Sequence, residues 1–263
     1  MKYVRFEHEG RLTLGRLDED GGIEHLAGDW YEGATPTGLR TAASDALLLA
    51  PLDRPRVFGI GNNYHQAIRA QNLAVPQRPL VFVKMSNAVA GPQAPVVFPA
   101  ASDTVFFEGE LCVVIGRPGR HIAREDALSH VFGYTCGNDL TERTLQLAEV
   151  AAGSMCLSKS VDTFAPIGPC IATDVDPDDV SIVSRINGEV RQEGHTSDMV
   201  FDVPMLIAYI SRYVTLMRGD VIMTGTPAGF GPIAVGDEME IELAGIGTLR
   251  NTVVAEDASR GRP

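Results

Sequence analysis

Glu108 and Glu110 stand two residues apart inside FFEGELCVVIG, a run that otherwise reads as a buried strand. On a strand, residues i and i+2 point to the same face. Two carboxylates so placed, about 6.6 Å apart along the backbone, repel by roughly 2.5 kcal/mol at an effective dielectric of about 20. A bound cation or a shared proton offsets such repulsion. A third carboxylate, Asp139, follows in FGYTCGNDLTERTLQ. Beyond it, LTERTLQLAEVAA reads as a helix capped by Thr141 or Asp139. Arg143 and Gln146, three residues apart, share one face of that helix. If Asp139 belongs to a site, both side chains reach the same site from the first turns.

Other polar residues say less by themselves. Lys159 lies between serines in LSKSVDTFAPIGP and reads as a surface residue as readily as a pocket one. Lys84 ends the strand of PLVFVK, facing a pocket or solvent. His65, in NNYHQAIRAQN, is a catalytic group or a polar loop residue, and spacing alone favours the second. Gly59 and Gly61 lack the third glycine of a dinucleotide fingerprint. TGTPAGFG lacks the ending of a phosphate loop, but its glycines and Thr226 let backbone approach a small ligand.

The elements that must position these residues are mostly strands. KYVRFE and RLTLGRL form a small β-rich module over residues 1–50, read as a flap completing an edge of the main domain, residues 51–263. The residues around Asn187 and Gly188 carry a hairpin signal. DVPMLIAYISRYV is an amphipathic helix with Asp202 as its cap and Pro204 in its first turn. REDALSHV reads as a helix, GDVIMTGTPAGFGPIAVGDEMEIELAGIGTLRNTVV as three strands joined by turns, and EDASRGRP as a frayed tail. Regular βαβ alternation is missing, so the pattern gives an α+β fold with a dominant mixed sheet.

Composition narrows the function. A net charge of −12 disfavours nucleic acid and anionic membrane surfaces as partners. No apolar run reaches the roughly 18–20 residues of a membrane span, and the N-terminus has no signal-peptide core, so a cytoplasmic protein is expected. Four scattered cysteines fit reduced thiols rather than a zinc site.

Six segments in order, FFEGELCVVIG, GYTCGNDLTER-x-x-Q, SKSVDTFAPIGP, INGEVRQ, TSDM and GDVIMTGTPAGFG, together resemble the fumarylacetoacetate hydrolase superfamily over residues 56–254. The resemblance implies a mixed β-roll with short flanking helices, a homodimer, and a divalent metal near the mouth of the roll. It places metal ligands on Glu108, Glu110 and Asp139, a pocket lysine on Lys159, and substrate contacts on Tyr64, Arg143, Gln146 and Thr226. Many hydrolases and decarboxylases of the family carry N-Y-x-x-H-x-x-E, whose His–Glu pair activates water or moves protons. Here those two positions are Ala67 and Ala70, and His65 follows Tyr64 directly. His65 substitutes from another direction, or the reaction needs no activated water.

Three carboxylates suit Mg²⁺ first, then Mn²⁺ or Ca²⁺. The expected substrate is a small anionic 2-oxo, 2-hydroxydienoic or β-dicarbonyl acid of the kind met in aromatic catabolism. Isomerisation or decarboxylation is the expected reaction. The alternatives are a C–C hydrolase of acylpyruvate type and a metal-dependent binding protein without turnover.

Overall fold

Apolar runs broken by turn residues give a fold dominated by strands. The computed structural model describes residues 1–18 and 20–257, so residues 258–263 of the tail expected to fray lie outside the described residues. The largest sheet has twelve strands. Its main path runs from Thr35–Ala42 through Gly22–Ala27, Arg11–Leu17 and Lys2–His8 to Ala165–Ala172. It continues through Val131–Asn138, Gly109–Ile115, Val221–Met223 and Val57–Gly61 to Leu80–Lys84. The N-terminal strands therefore continue the main sheet, with Lys2 and Tyr3 paired to Ala172 and Ile171.

Gly109–Ile115 is the axis of this sheet, and all seven of its residues are buried. Leu111, Val113 and Ile115 pack into the larger core, while Cys112 and Val114 pack into a second one with Val57, Val221 and Met223. Alternating residues thus serve opposite cores, which is why the run is apolar from Leu111 to Ile115. The four cysteines are free thiols.

A five-stranded sheet covers the roll, ordered Glu189–His195, Ser181–Ile186, Glu238–Leu243, Gly247–Ala255 and Val96–Phe98. Its first hairpin turns at Asn187 and Gly188, both at positive φ, as a two-residue turn of this hand requires. A three-stranded sheet joins Thr141–Glu142, Val105–Phe107 and Gly231–Ile233.

Several sequence expectations shift. Glu142, not Thr141 or Asp139, caps the helix Arg143–Ala151, its carboxylate accepting from Leu145 N. Thr141 and Asp139 are unavailable because their side chains bond inward, to Glu108 and to two lysines. Arg124–His130 is a 3₁₀ segment, and the last stretch forms four strands rather than three. The helix Val203–Ser211 has the expected cap, with Asp202 accepting from Met205 N at 2.9 Å. No helix among the described residues is long and apolar enough to cross a membrane.

Candidate active site

Glu108 does not lie within a strand. It is the break between Val105–Phe107, in the three-stranded sheet, and Gly109–Ile115, in the large sheet. Its N–H donates to Asn138 Oδ1 at 2.9 Å and its carbonyl accepts from Asp139 N at 2.8 Å. The two glutamates converge because of this break, and not through the regular strand periodicity expected from their spacing. Asp139 follows the partner strand Val131–Asn138, whose Asn138 pairs with Gly109, so strand register delivers it beside both glutamates. One carboxylate oxygen from each of Glu108, Glu110 and Asp139 lies within 4.8 Å of the others.

Gly109 has no room for a side chain. A Cβ there would stand 2.2 Å from Ser184 Oγ and 3.0 Å from Ile241 Cδ1. Gly109→Ala is expected to lower stability by about 1–3 kcal/mol through overpacking and to displace Glu108 and Glu110. Thermal melting reads this directly, and an unchanged melting temperature would refute it.

Two lysines balance the acids. Lys159 Nζ donates to Asp139 Oδ2 at 2.7 Å and to Glu108 Oε2 at 3.1 Å, and lies 4.9 Å from the centre of the Phe82 ring. Lys84 Nζ donates to Asp139 Oδ1 and, at 3.0 Å, to Leu140 O. Lys84 thus faces the buried cluster and not solvent. Its alternation with buried Phe82 along Leu80–Lys84 was the available signal. Glu149, which no sequence signal singled out, braces the turn that presents Lys159. Its carboxylate accepts from Cys156 N, Leu157 N and Ser158 N at 3.0, 2.8 and 3.2 Å.

The environments pull the three acids apart. Burial raises Glu110 well above the ordinary carboxylate range, and the charges of Asp139 and Glu108 add to it. Burial also raises Glu108, against the pull of Lys159. Burial acts on Asp139 in the same direction, but Lys159 and Lys84 outweigh it and hold this carboxyl below its ordinary value. Lys159 is raised, because Asp139 and Glu108 overcome the effect of its burial.

Glu110 supplies the test of fit for a metal. Its Oε2 accepts from Gly225 N at 2.7 Å, whereas its buried Oε1 has no hydrogen-bond partner. A buried carboxylate oxygen without a donor, beside two further carboxylates, is a donor set suited to a hard cation. The triad is compatible with metal binding.

A cavity of about 270 Å³ opens beside the cluster. Glu108, Lys159, Arg143, Gln146 and Thr226 all line it, together with apolar side chains such as Phe82, Leu147 and Phe230. Arg143 donates from Nη1 to Gln146 Oε1 and stacks 5.5 Å from the Phe106 ring centre. Tyr64 is buried and does not line the cavity, and burial and the Glu110 charge raise its phenol. His65 does not line it either. The helix His65–Ala70 turns Ala67 to the cavity, and Gln71 just beyond the helix also lines it.

A mixed β-roll with a buried acidic triad beside a lysine-bearing pocket defines the class, and comparison with known proteins agrees. The chain belongs to the fumarylacetoacetate hydrolase family: the model for the fumarylacetoacetate (FAA) hydrolase C-terminal domain matches residues 56–254. A second model, Rv2993c-like, N-terminal, matches residues 1–51. The chain is 41% identical to the human mitochondrial oxaloacetate tautomerase FAHD2A over 222 residues, 80% of this chain and 70% of the human protein. It is similar to the crystal structure of 2-hydroxyhepta-2,4-diene-1,7-dioate isomerase from Mycobacterium marinum, with a TM-score of 0.88 and 37% identity over 97% of this chain and 99% of that one. Maleylpyruvate hydrolase from Sphingobium sp. SYK-6 is similar with a TM-score of 0.80 and 29% identity, over 97% of this chain and all of that one. These relatives are enzymes of one superfamily that run different reactions.

Proposed function

We propose that this protein is a divalent-metal-dependent enzyme that isomerises or decarboxylates a small anionic 2-oxo or β-dicarbonyl acid through a stabilised enolate. One observation carries the reading. Lys159 and Glu108 of the acidic cluster meet at the cavity wall, while the helix His65–Ala70 offers it only Ala67. That arrangement suits charge stabilisation rather than activation of water.

Glu108, Glu110 and Asp139 would hold Mg²⁺, with Mn²⁺ or Ca²⁺ as alternatives, because all three ligands are carboxylates. Bound there, Mg²⁺ supplies Lewis-acid stabilisation of negative charge developing on a keto oxygen. Lys159, raised by Asp139 and Glu108, would add positive charge at the cavity wall as an electrostatic stabiliser. Three carboxylates set against Lys84, Lys159 and a divalent cation leave one unit of positive charge, which attracts an anion into an acidic protein. Arg143 and Gln146 orient the substrate carboxylate by exchanging their mutual hydrogen bond for bonds to it. Residues 51–263 carry this chemistry, and residues 1–50 form the accessory module.

The relatives named as a tautomerase and an isomerase support isomerisation as the first choice. Hydrolysis ranks second, supported by the relative named as a maleylpyruvate hydrolase. Hydrolysis needs an activated water, and among the described residues lining the cavity there is no histidine, and Glu108 is the one carboxylate.

The test follows the enol absorbance of oxaloacetate, acylpyruvates and 2-hydroxydienoate diacids, with Mg²⁺ and with chelator. Metal-dependent loss of enol signal without bond cleavage is expected. Release of pyruvate from an acylpyruvate would favour hydrolysis, and CO₂ release would favour decarboxylation. No change on any substrate would refute the enzyme reading. Arg143→Gln is expected to raise KM about tenfold to a hundredfold, the value of a charge-assisted hydrogen bond, with a smaller effect on kcat. An unchanged KM would remove Arg143 from substrate binding.

A further inference from the structure

Behind the acidic cluster lies a closed ring of hydrogen bonds centred on a residue that does not touch the pocket. Gln192 is fully buried in the strand Glu189–His195. Its Oε1 accepts from Gly109 N at 3.0 Å. Its Nε2 donates to Thr226 Oγ1 at 2.7 Å and to Pro227 O at 2.9 Å. Thr226 Oγ1 in turn donates to Gly109 O at 2.9 Å. The ring therefore grips the Gly109 residue by both its N–H and its carbonyl. Gly109 is the only residue between Glu108 and Glu110.

The polarity of every bond is forced. The Gly109 N–H can only donate, so the atom facing it is the Gln192 carbonyl oxygen. The Pro227 carbonyl can only accept, which independently puts the Gln192 nitrogen on the other side. That nitrogen makes Thr226 an acceptor, and the Gly109 carbonyl makes Thr226 a donor. The Thr226 proton is thus committed to backbone. Thr226 cannot donate to a substrate carboxylate, as a free hydroxyl would.

We propose that Gln192 is a positioning residue: its carboxamide sets the spacing of Glu108 and Glu110 and the hydrogen-bonding direction of Thr226. This rests on reading the three carboxylates as cation ligands. Glu108 sits at a break between two sheets, so strand pairing alone does not hold it. Beside the bonds of Glu108 to Asn138 and Asp139, the Gln192 ring adds a constraint from the five-stranded sheet. The site is therefore built across sheets, and Gln192 is the side chain by which the five-stranded sheet hydrogen-bonds to the Gly109 backbone.

The experiment is a Mn²⁺ titration read by the electron paramagnetic resonance of free Mn²⁺, well below the melting temperature of each protein. Gln192→Met keeps the length of the side chain and removes all three hydrogen bonds. It is expected to weaken Mn²⁺ binding about tenfold to a hundredfold, the usual consequence of removing a group that orients a metal ligand. Thr226→Val opens the ring at another corner and is expected to weaken binding similarly, whereas Thr226→Ser, which retains the hydroxyl, stays within about twofold of wild type. A folded Gln192→Met that melts earlier yet binds Mn²⁺ like wild type would show a merely structural role and overturn the proposal. Where Gln192→Met does not fold, Thr226→Val decides by the same criterion. Failure of the wild-type protein itself to bind Mn²⁺ would overturn the metal reading, and with it this one, whereas wild-type binding with unaffected variants overturns only the role of Gln192.

Discussion

Glu110→Gln is expected to abolish divalent-cation binding while leaving the metal-free protein at least as stable as wild type. Glu110 is buried between two other carboxylates, one of its oxygens bonded to Gly225 N and the other to nothing. Burial and the neighbouring charges raise its pKa, so its ionised form opposes folding. The amide keeps an oxygen for Gly225 N and removes the buried charge. Replacing such a charge by a neutral group of the same shape is neutral or stabilising, by about 1 kcal/mol. With Mg²⁺ present the order reverses. Wild type gains about 2.7 kcal/mol when the cation is at a hundred times its Kd, and the variant gains nothing. Activity is expected to fall at least about a hundredfold, since a catalytic cation contributes several kcal/mol of charge stabilisation. Paired melts with Mg²⁺ and with chelator measure both halves. A variant that Mg²⁺ still stabilises as it does wild type would exclude Glu110 as a ligand.

The same residue marks how far the sequence could be read. Two glutamates in an apolar run announced a charged site, because burial of like charges needs compensation. The geometry behind it was not legible. Glu108 sits at the break between strands of two sheets and Glu110 lies in the second of them, and those strands are placed by contacts far apart in sequence, such as Phe106 with Pro232 and Val113 with Ile222. The α+β class and the main hairpin were legible, since alternation and the Asn187 and Gly188 turn are local signals. So was the shared face of Arg143 and Gln146, which the structure turns into the cavity. Helical phase decides the case of His65. Ala67 lines the cavity, and two residues along a helix are about 200° around it, so His65 faces away. A polar residue beside Tyr64 therefore does not meet the cavity at the place where the residue three positions after Tyr64 does. Gln192 and Glu149 were invisible because each acts on backbone groups that only the tertiary fold brings near.

Lys84→Met is expected to be among the most destabilising single substitutions in the chain, about 3–5 kcal/mol, although no sequence motif singled the residue out. Lys84 and Asp139 are both buried, and the lysine bridges Asp139 Oδ1 to the Leu140 carbonyl. Burial lowers the Lys84 pKa, and the nearby Asp139 charge opposes that shift. Methionine fills the space but leaves Asp139 with Lys159 as its remaining cation, and leaves the Leu140 carbonyl without that donor. The loss should appear as a fall of roughly 10 °C in melting temperature. Asp139→Asn in the same background separates charge from packing. If the deficit is an uncompensated carboxylate, the double variant melts above Lys84→Met alone, because the amide no longer needs a second ammonium. If packing were responsible, the two losses would add. The metal dependence runs the other way. A divalent cation compensates Asp139 in place of the missing ammonium, so Mg²⁺ should stabilise Lys84→Met more than it stabilises wild type. The double variant, lacking the carboxylate, should lose that extra stabilisation. Lys84 then stands as a built-in counter-charge that lets the acidic centre fold without a cation.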